Sequence, residues 1–398
     1  MTSTRTDGRE RAHQAPVDHF PHLTAESRDA LFERTPGGLA SGDRMPLGLG
    51  LGLGATLYIP GDDPLIVAKL RRTLDIGALA AVICLEDSVR LDQVAAAERN
   101  VVQILLQADD ETAILPPRLF LRTRTPEQFE SIVHALGGAL RHLTGVCIPK
   151  FGSNNAEAWF DVIDRATDES GHGVQIMPIL EGPQALYPES RVAEFLAIRS
   201  LLLERPNQIT ALRVGGTDLS GLLGLRRRAD ETIYDLGPVR NAIVDMVSVF
   251  TRNNEFVVSG PVWEYFHTDS RLWKPQLRVS LFDVTEGADL RSHLISRHLD
   301  GLIKEVLADR ANGLIGKTII HPSHIRPVNA LHAVTHEEWV DASGIVDAST
   351  QGGASTSSFC NKMNEAGPHR LWAERVLARG DIFGVLREGT TFVALLDS

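Results

Sequence analysis

The strongest constraint on this 398-residue chain is an alternation that repeats eight times. Short apolar runs recur at ATLYIP (55–60), AAVICLE (80–86), RLFLRT (118–123), GVCIPK (145–150), VQIMPILE (174–181), ITALRVGG (209–216), EFVVSG (255–260) and GLIGKTIIHP (313–322). Between most of them lie amphipathic stretches, including PLIVAKLRRTLDIG, LDQVAAAERNVVQILLQ, PEQFESIVHALGGAL, NAEAWFDVIDRAT, RVAEFLAIRSLLLE and PVRNAIVDMVSVFTRN. Near-continuous apolar strands followed by helices are buried on both faces, which implies a parallel sheet covered by helices. Eight such units at this length predict an α/β fold, a closed (β/α)8 TIM barrel. An open doubly wound sheet is the alternative, but Gly48, Gly50, Gly52 and Gly54 precede the first strand instead of following it. They do not form a dinucleotide fingerprint and read as a flexible approach to the strand.

Three segments fall outside the repeat. Residues 1–45 form an N-terminal arm, with a mobile tail to about residue 18 and a short helix over 24–34 capped by Thr24 and followed by Glu26. The barrel spans 46–335 and carries a long link, 261–312, before its last strand. Trp263, Tyr265, Phe266 and Trp273 in that link predict an ordered insertion at or near the barrel mouth. Residues 336–398 are a helical C-terminal extension with a small polar loop at 350–359. The N-terminus lacks the apolar core of a secretory signal, and no run reaches 18 apolar residues, so no membrane span is expected. Forty Lys and Arg against 51 Asp and Glu argue against sequence-blind nucleic-acid binding and against docking on anionic lipid. Cys84, Cys147 and Cys360 make no disulfide framework and no metal-ligand spacing, which suits a reducing cytoplasm.

The polar residues fall where the strands end. The second strand ends in Glu86-Asp87, the third carries Arg122, the fourth ends in Pro149-Lys150, and the fifth in Glu181-Gly182. The sixth runs into Gly215-Gly216-Thr217-Asp218, and the eighth ends in His321-Pro322. In a barrel these ends share one face, where such folds place their chemistry. Glu181 and Asp218 follow consecutive strands and read as a metal pair. Two carboxylates completed by waters and substrate oxygens suit Mg²⁺ or Mn²⁺, and no zinc-type His or Cys motif is read. The plainer reading of Glu181 is an ion pair with Arg122 or Lys150. Arg122 has the planar fork for a carboxylate ligand, or it neutralises Glu86 or Glu181.

With these pieces placed, the chain resembles the HpcH/HpaI aldolase and citrate lyase beta subunit family from about Leu51 to Val385. The carrying stretches are TLYIPG (56–61), AVICLEDSV (81–89), LFLRT (119–123), GVCIPK (145–150), ILEGP (179–183), RVGGTDLSGLLG (213–224), GLIGKTIIHPSHIRPVN (313–329) and KMNEAGPHRLWAERVLA (362–378). The wording NGLIGKTIIHPSH and the 261–312 link are closest to the TIM-barrel C–C bond lyase-like proteins of tellurium-resistance gene clusters. The resemblance implies a Mg²⁺-dependent carbon–carbon lyase or aldolase working through a metal-stabilised enolate, on a 2-oxo acid or a citryl- or malyl-type CoA thioester. It places Glu181 and Asp218 as metal ligands, Arg122 on the substrate carboxylate or enolate, Glu86 and Asp87 as the acidic pair, and Lys150 at the catalytic strand end. It also implies a homo-oligomer, a trimer or a multiple of one. Cys84 stands where relatives carry an aspartate, and Thr123-Arg124 depart from the usual wording after the strand-three arginine.

For the general base, Glu86, Asp87 and a metal-bound water all remain open. A Schiff-base route through Lys150 fits less well, because it needs a desolvated lysine of depressed pKa. Phosphotransfer lacks a catalytic histidine and a phosphate loop. The alternative to a lyase is a catalytically altered barrel that binds a small acid or a partner protein in a stress-resistance or biosynthetic assembly.

Overall fold

A computed structural model describes residues 18–39, 47–108, 115–266, 297–349 and 352–397. Eight strands form the centre: β1 (Ala55–Pro60), β2 (Ala80–Cys84), β3 (Arg118–Arg122), β4 (Gly145–Ile148), β5 (Gln175–Leu180), β6 (Leu212–Val214), β7 (Val258–Ser259) and β8 (Lys317–Ile319). Their order is β7-β6-β5-β4-β3-β2-β1-β8, with every pairing parallel. The ends of this order meet through a bridge between Gly260 and Lys317. There the Gly260 N–H donates to the Gly316 carbonyl at 3.1 Å and the Thr318 N–H to the Gly260 carbonyl at 3.2 Å. The sheet is thus a closed parallel barrel, as the alternating pattern predicts.

Strand periodicity explains both layers of the core. Leu57, Ile59, Ile83, Leu119, Leu121, Val146 and Ile148 belong to the outer core with the helices, while Val82, Phe120, Cys147, Met177, Ala211 and Val257 fill the barrel interior. The surrounding helices are α1 (Ile66–Leu74), α2 (Val94–Gln107), α3 (Pro126–Leu136), α4 (Ala156–Ser170), α5 (Pro188–Leu203), α6 (Gly237–Phe250) and α7 (Arg297–Ala311). In α3 the signals are all local. Thr125 caps it by accepting from the Gln128 N–H, Pro126 opens it, and Phe129, Ile132, Val133 and Leu136 form its buried stripe. It stops at Gly137, whose φ is +50°, so the GGAL tail becomes a 3₁₀ turn and not the further helix expected.

The arm is built into the lower end of the barrel. Thr24 caps a helix at Ala25–Leu31 by accepting from the Ser27 N–H. The segment then departs from the helix expected to residue 34. Phe32–Arg34 instead pairs antiparallel with Val385–Leu386. Phe20, Leu23, Leu51 and Leu53 join the interior cluster from below. Asp18 accepts from the Phe20 N–H at 2.7 Å and pairs with Arg28 at 2.5 Å. His19 stacks on Phe383 with centroids 4.2 Å apart and hydrogen-bonds the Gly52 carbonyl at 2.8 Å. Asn329 ties three segments: its Oδ1 accepts from the Ala55 N–H at 3.0 Å, and its Nδ2 donates to the carbonyls of Gly77 (2.9 Å) and His19 (3.4 Å). The glycines before β1 have a steric role as well, since a Cβ on Gly50 would lie 2.1 Å from the Thr210 carbonyl oxygen. The tail expected at residues 1–18 lies outside the described residues except for Asp18.

The long link resolves differently from its reading as a continuous 261–312 insertion. Arg297–Ala311 is α7, the helix that the eighth unit needs. Residues 267–296, Trp273 among them, lie outside the described residues. Before them, Trp263 is fully buried, with its ring 5.7 Å from Tyr265 and 5.2 Å from the Arg227 guanidinium. α7 is held by a buried ionic network. Lys317 Nζ lies 2.8 Å from Glu305 Oε1 and 2.7 Å from Asp309 Oδ2, and the Tyr234 hydroxyl donates to Asp309 Oδ1 at 2.8 Å. Arg227 Nε lies 3.4 Å from Glu305 Oε2, so two cations face two carboxylates and the network is close to neutral, the condition under which buried charge is tolerated. Beyond the barrel, His336–Ala348 and Arg370–Phe383 pack together. The loop expected at 350–359 contains one strand of a hairpin, Ala354–Thr356 with Met363–Glu365. Among the described residues no helix is long and apolar enough to cross a membrane.

Candidate active site

At the upper, C-terminal end of the barrel the inward positions turn from hydrocarbon to charge. The structure brings five of the six singled-out residues into direct contact. Arg122 Nη2 lies 2.5 Å from Glu86 Oε2, 3.3 Å from Asp87 Oδ2 and 3.4 Å from Glu181 Oε1. Lys150 Nζ lies 2.6 Å from Glu86 Oε1 and 3.7 Å from Asp87 Oδ1. Lys150 also donates its backbone N–H to Glu181 Oε1 at 2.8 Å. It does so from φ +48°, a left-handed conformation costly for a residue with a Cβ. That turn aims the amide at the carboxylate. The sixth residue, Asp218, sits in the first turn of the short helix Gly216–Gly221 after β6 and is half-buried. Glu181 and β6 touch closely: a Cβ on Gly215 would lie 2.2 Å from the Glu181 Cβ, so only glycine fits there. Arg124, a departure from the family wording, fastens the loop after β2 by donating to the carbonyls of Glu86 (2.6 Å) and Val89 (2.7 Å).

Glu181 is 3% exposed. Burial pushes its carboxyl up to about 8 against the opposing charge of Arg122, and the Asp218 charge adds to the rise. Glu86 goes the other way. Burial opposes its ionisation, but its hydrogen bond with Asp87 and the charges of Arg122 and Lys150 overcome that and hold it at about 2. Asp87 is raised by burial and by the hydrogen bond and charge of Glu86. Burial alone would lower Lys150, but its bond to Glu86 and the surrounding carboxylates raise it, which removes the basis for an amine nucleophile. Arg122 neutralises Glu86, and it also lines the cleft.

Two clefts open here, of about 440 and 630 Å³, and Asp87, Glu181, Thr217 and Asp218 line both. Around their shared wall stand four carboxylates, Glu86, Asp87, Glu181 and Asp218, against Arg122 and Lys150. The excess of negative charge and the all-oxygen donor set fit a hard divalent cation. Among the described residues no group of three or more His, Cys, Asp or Glu is placed to hold a metal ion by itself. Two carboxylates completed by water suit Mg²⁺, which keeps part of its hydration shell. His332 and His336 stand at an H-x-x-x-H spacing that the sequence reading passes over. They do not form a metal pair, because His332 accepts from the Gly316 N–H at 2.9 Å and donates to the Val328 carbonyl at 2.7 Å, while His336 bonds Glu33 at 2.5 Å.

The sequence reading misses Arg213, on β6, which lines the first cleft and is 1% exposed. Its signal was a charged residue in the middle of the apolar run ITALRVGG. Tyr58, on β1, also lines that cleft, with its ring 5.4 Å from the Arg213 guanidinium.

A closed parallel barrel with its charged residues on the C-terminal face places the chain among the TIM-barrel folds. The model of the C–C bond lyases of the TIM-barrel fold matches residues 49–385, and the chain belongs to that family. Solved structures share the architecture at low identity. A citrate lyase from Burkholderia xenovorans LB400 is similar at TM-score 0.60 and 16% identity, covering 87% of this chain and 96% of that one. The protein CitE from Mycobacterium tuberculosis, in complex with magnesium, acetoacetate and coenzyme A, is similar at TM-score 0.51 and 21% identity, covering 82% of this chain and 97% of that one. No curated protein matches the chain.

Proposed function

We propose that this protein is a Mg²⁺-dependent carbon–carbon bond lyase or aldolase acting on a 2-oxo acid or a citryl- or malyl-type thioester. The observation that carries this reading is Glu181: a carboxylate 3% exposed, held by Arg122 and the Lys150 amide, with Asp218 on the same cleft wall. Glu181 and Asp218 are the residues that hold the cation. Bound there, Mg²⁺ supplies Lewis acidity to a carbonyl oxygen of the substrate. The magnesium and acetoacetate of the Mycobacterium tuberculosis CitE are the kind of ligands such a donor set takes.

In the cleavage direction a base takes the proton of the substrate hydroxyl, whose carbon becomes a carbonyl. The C–C bond to that carbon breaks, and its electron pair passes to the carbon beside the retained carbonyl, giving an enolate. Arg122 supplies fixed positive charge where that oxygen becomes negative. Asp87 is the base this geometry favours. Both Glu86 oxygens are engaged, by Lys150 and Arg122, whereas the Asp87 side chain is 53% exposed and lines both clefts. Lys150 and Arg124 hold the Glu86-Asp87 turn in place.

The test is a turnover assay of 2-oxo acid aldols and CoA thioesters with and without Mg²⁺, paired with calorimetry on Glu181→Gln and Asp218→Asn. The expected result is Mg²⁺-dependent cleavage that both substitutions abolish together with metal binding. Unchanged Mg²⁺ affinity in both variants would refute the assignment.

A further inference from the structure

The floor of the first cleft carries a cation with no counter-charge. Arg213 is 1% exposed and points into the barrel beneath the carboxylate cluster. Among the described residues its hydrogen-bond partners are the Thr318 hydroxyl and, at 3.8 Å, the Met177 sulfur, and no carboxylate pairs with it. Its other neighbour is the face of Tyr58, 5.4 Å away. The Tyr58 hydroxyl donates to Cys147 Sγ at 3.7 Å. Burial pushes both groups up, the thiol to about 11, so neither supplies an anion at neutral pH. A buried guanidinium among a hydroxyl, a phenol, a thiol and a thioether is expensive unless an anion completes it. Among the described residues every other buried Arg or Lys has a carboxylate: Arg122 has three, Lys317 two, and Arg191, Arg227 and Arg379 one each.

We propose that Arg213 is the anchor of an anion subsite that receives a second carboxylate of the substrate, making the preferred substrate a dicarboxylic 2-oxo acid. This rests on the lyase reading only in placing the reacting 2-oxo end at Glu181 and Asp218. Arg122 is already occupied by the protein's own carboxylates, so it has little capacity to discriminate between acids. Arg213 gives Nη2 to the Thr318 hydroxyl and Nη1 only to a weak thioether acceptor, so it keeps N–H donors for an anion, and a planar guanidinium matches two carboxylate oxygens side by side. The Thr318 hydroxyl and the Tyr58 ring set its orientation. Arg213 is thus a specificity residue: it selects the tail of the substrate and takes no part in bond cleavage.

The experiment compares 2-oxoglutarate with 2-oxopentanoate, which differ in the terminal carboxylate, by calorimetry with Mg²⁺ on the full chain. The wild type is expected to prefer 2-oxoglutarate by about tenfold or more. Arg213→Met should bring 2-oxoglutarate down to the affinity of 2-oxopentanoate and leave the latter unchanged. Its ligand-free melting temperature should not fall, because the substitution removes an uncompensated buried charge. Arg213→Lys, which keeps the charge and loses the fork, should fold and show a reduced preference. Equal binding of the two acids by the wild type, or none, overturns the proposal. So does a preference that survives Arg213→Met, an equal loss of both acids, or a failure of both variants to fold. Glu181→Gln separates this result from the lyase reading. If it and Asp218→Asn both bind Mg²⁺ as the wild type does, the lyase reading fails, while the comparison of the two acids repeated without Mg²⁺ still reports on Arg213.

Discussion

At the lower end of the barrel Phe20, Leu51 and Leu53 close the interior with hydrocarbon, and the histidines there are buried and bonded to backbone. At the upper end Glu86, Asp87, Glu181 and Asp218 crowd with Arg122, Lys150 and Arg213 around an open cleft, four carboxylates against three cations. The same strands build both ends. Three positions separate Met177 from Leu180 on β5, and the next residue is the buried Glu181. The lower end ties its buried polar side chains mostly to backbone within the chain. The upper end holds groups whose partners must come from outside the chain. Stability and chemistry are therefore separable along the barrel axis, and each end can be perturbed alone.

The largest expected effect is at the lower end. Phe20 is 1% exposed and packs 5.6 Å from Phe32. Phe20→Ala should destabilise the protein by about 3–5 kcal/mol in urea titration, with Mg²⁺ affinity unchanged. A comparable loss of Mg²⁺ affinity in that variant would break the separation.

Acid should loosen the same end. Burial lowers His19 to about 4 and His332 to about 3. The unfolded chain takes up these protons near the ordinary histidine value, so it binds more protons than the folded chain below about pH 6.5. The stability these neutral imidazoles provide is complete above that pH and is lost as pH falls towards 4 and 3. The expected loss between pH 6.5 and 5 is on the order of 3 kcal/mol for the two together. A urea midpoint that does not fall over this interval, or that falls as steeply in His332→Gln, would contradict it.

The upper end should respond in the opposite direction. Glu181 titrates at about 8, above its unfolded value, so the folded chain holds an extra proton there between roughly pH 4.5 and 8. Its contribution to stability is present below that window and is lost as pH rises through about 8. A cation on Glu181 must displace the proton, so Mg²⁺ affinity should rise by up to about tenfold per pH unit until about pH 8. Proton release measured by calorimetry in buffers of different ionisation enthalpy checks this, and Glu181→Gln should abolish it.

Much of this was legible in the sequence, for reasons particular residues show. All eight strands fall within the apolar runs, because a strand covered on both faces has to be apolar along its length. The six polar residues at strand ends lie on one face because barrel topology puts them there. Arg213 escaped because β6 was read by its end and not by its alternation, which places residues 211, 213 and 215 on one side. The left-handed turn at Lys150 left no mark, since lysine is not the residue that conformation favours. The strand at Phe32–Arg34 has only three residues, and its partner lies some 350 positions away, beyond the reach of any local pattern. The H-x-x-x-H spacing of His332 and His336 shows the converse, a motif without a site, because the fold had already assigned those nitrogens.

The pairing of Phe32–Arg34 with Val385–Leu386 also bears on the order in which the molecule is made. In a chain emerging from the ribosome the arm precedes the segment that clasps it by some 350 residues. Until residue 386 is out, Phe20 and Phe32 have no complete lower surface to lie against, and β1 waits for β8 to close the ring. Contacts of such sequence separation form late and slowly. The nascent protein therefore spends most of its synthesis as an open sheet with two unpaired edges, the state in which a barrel is most exposed to chaperones and to aggregation.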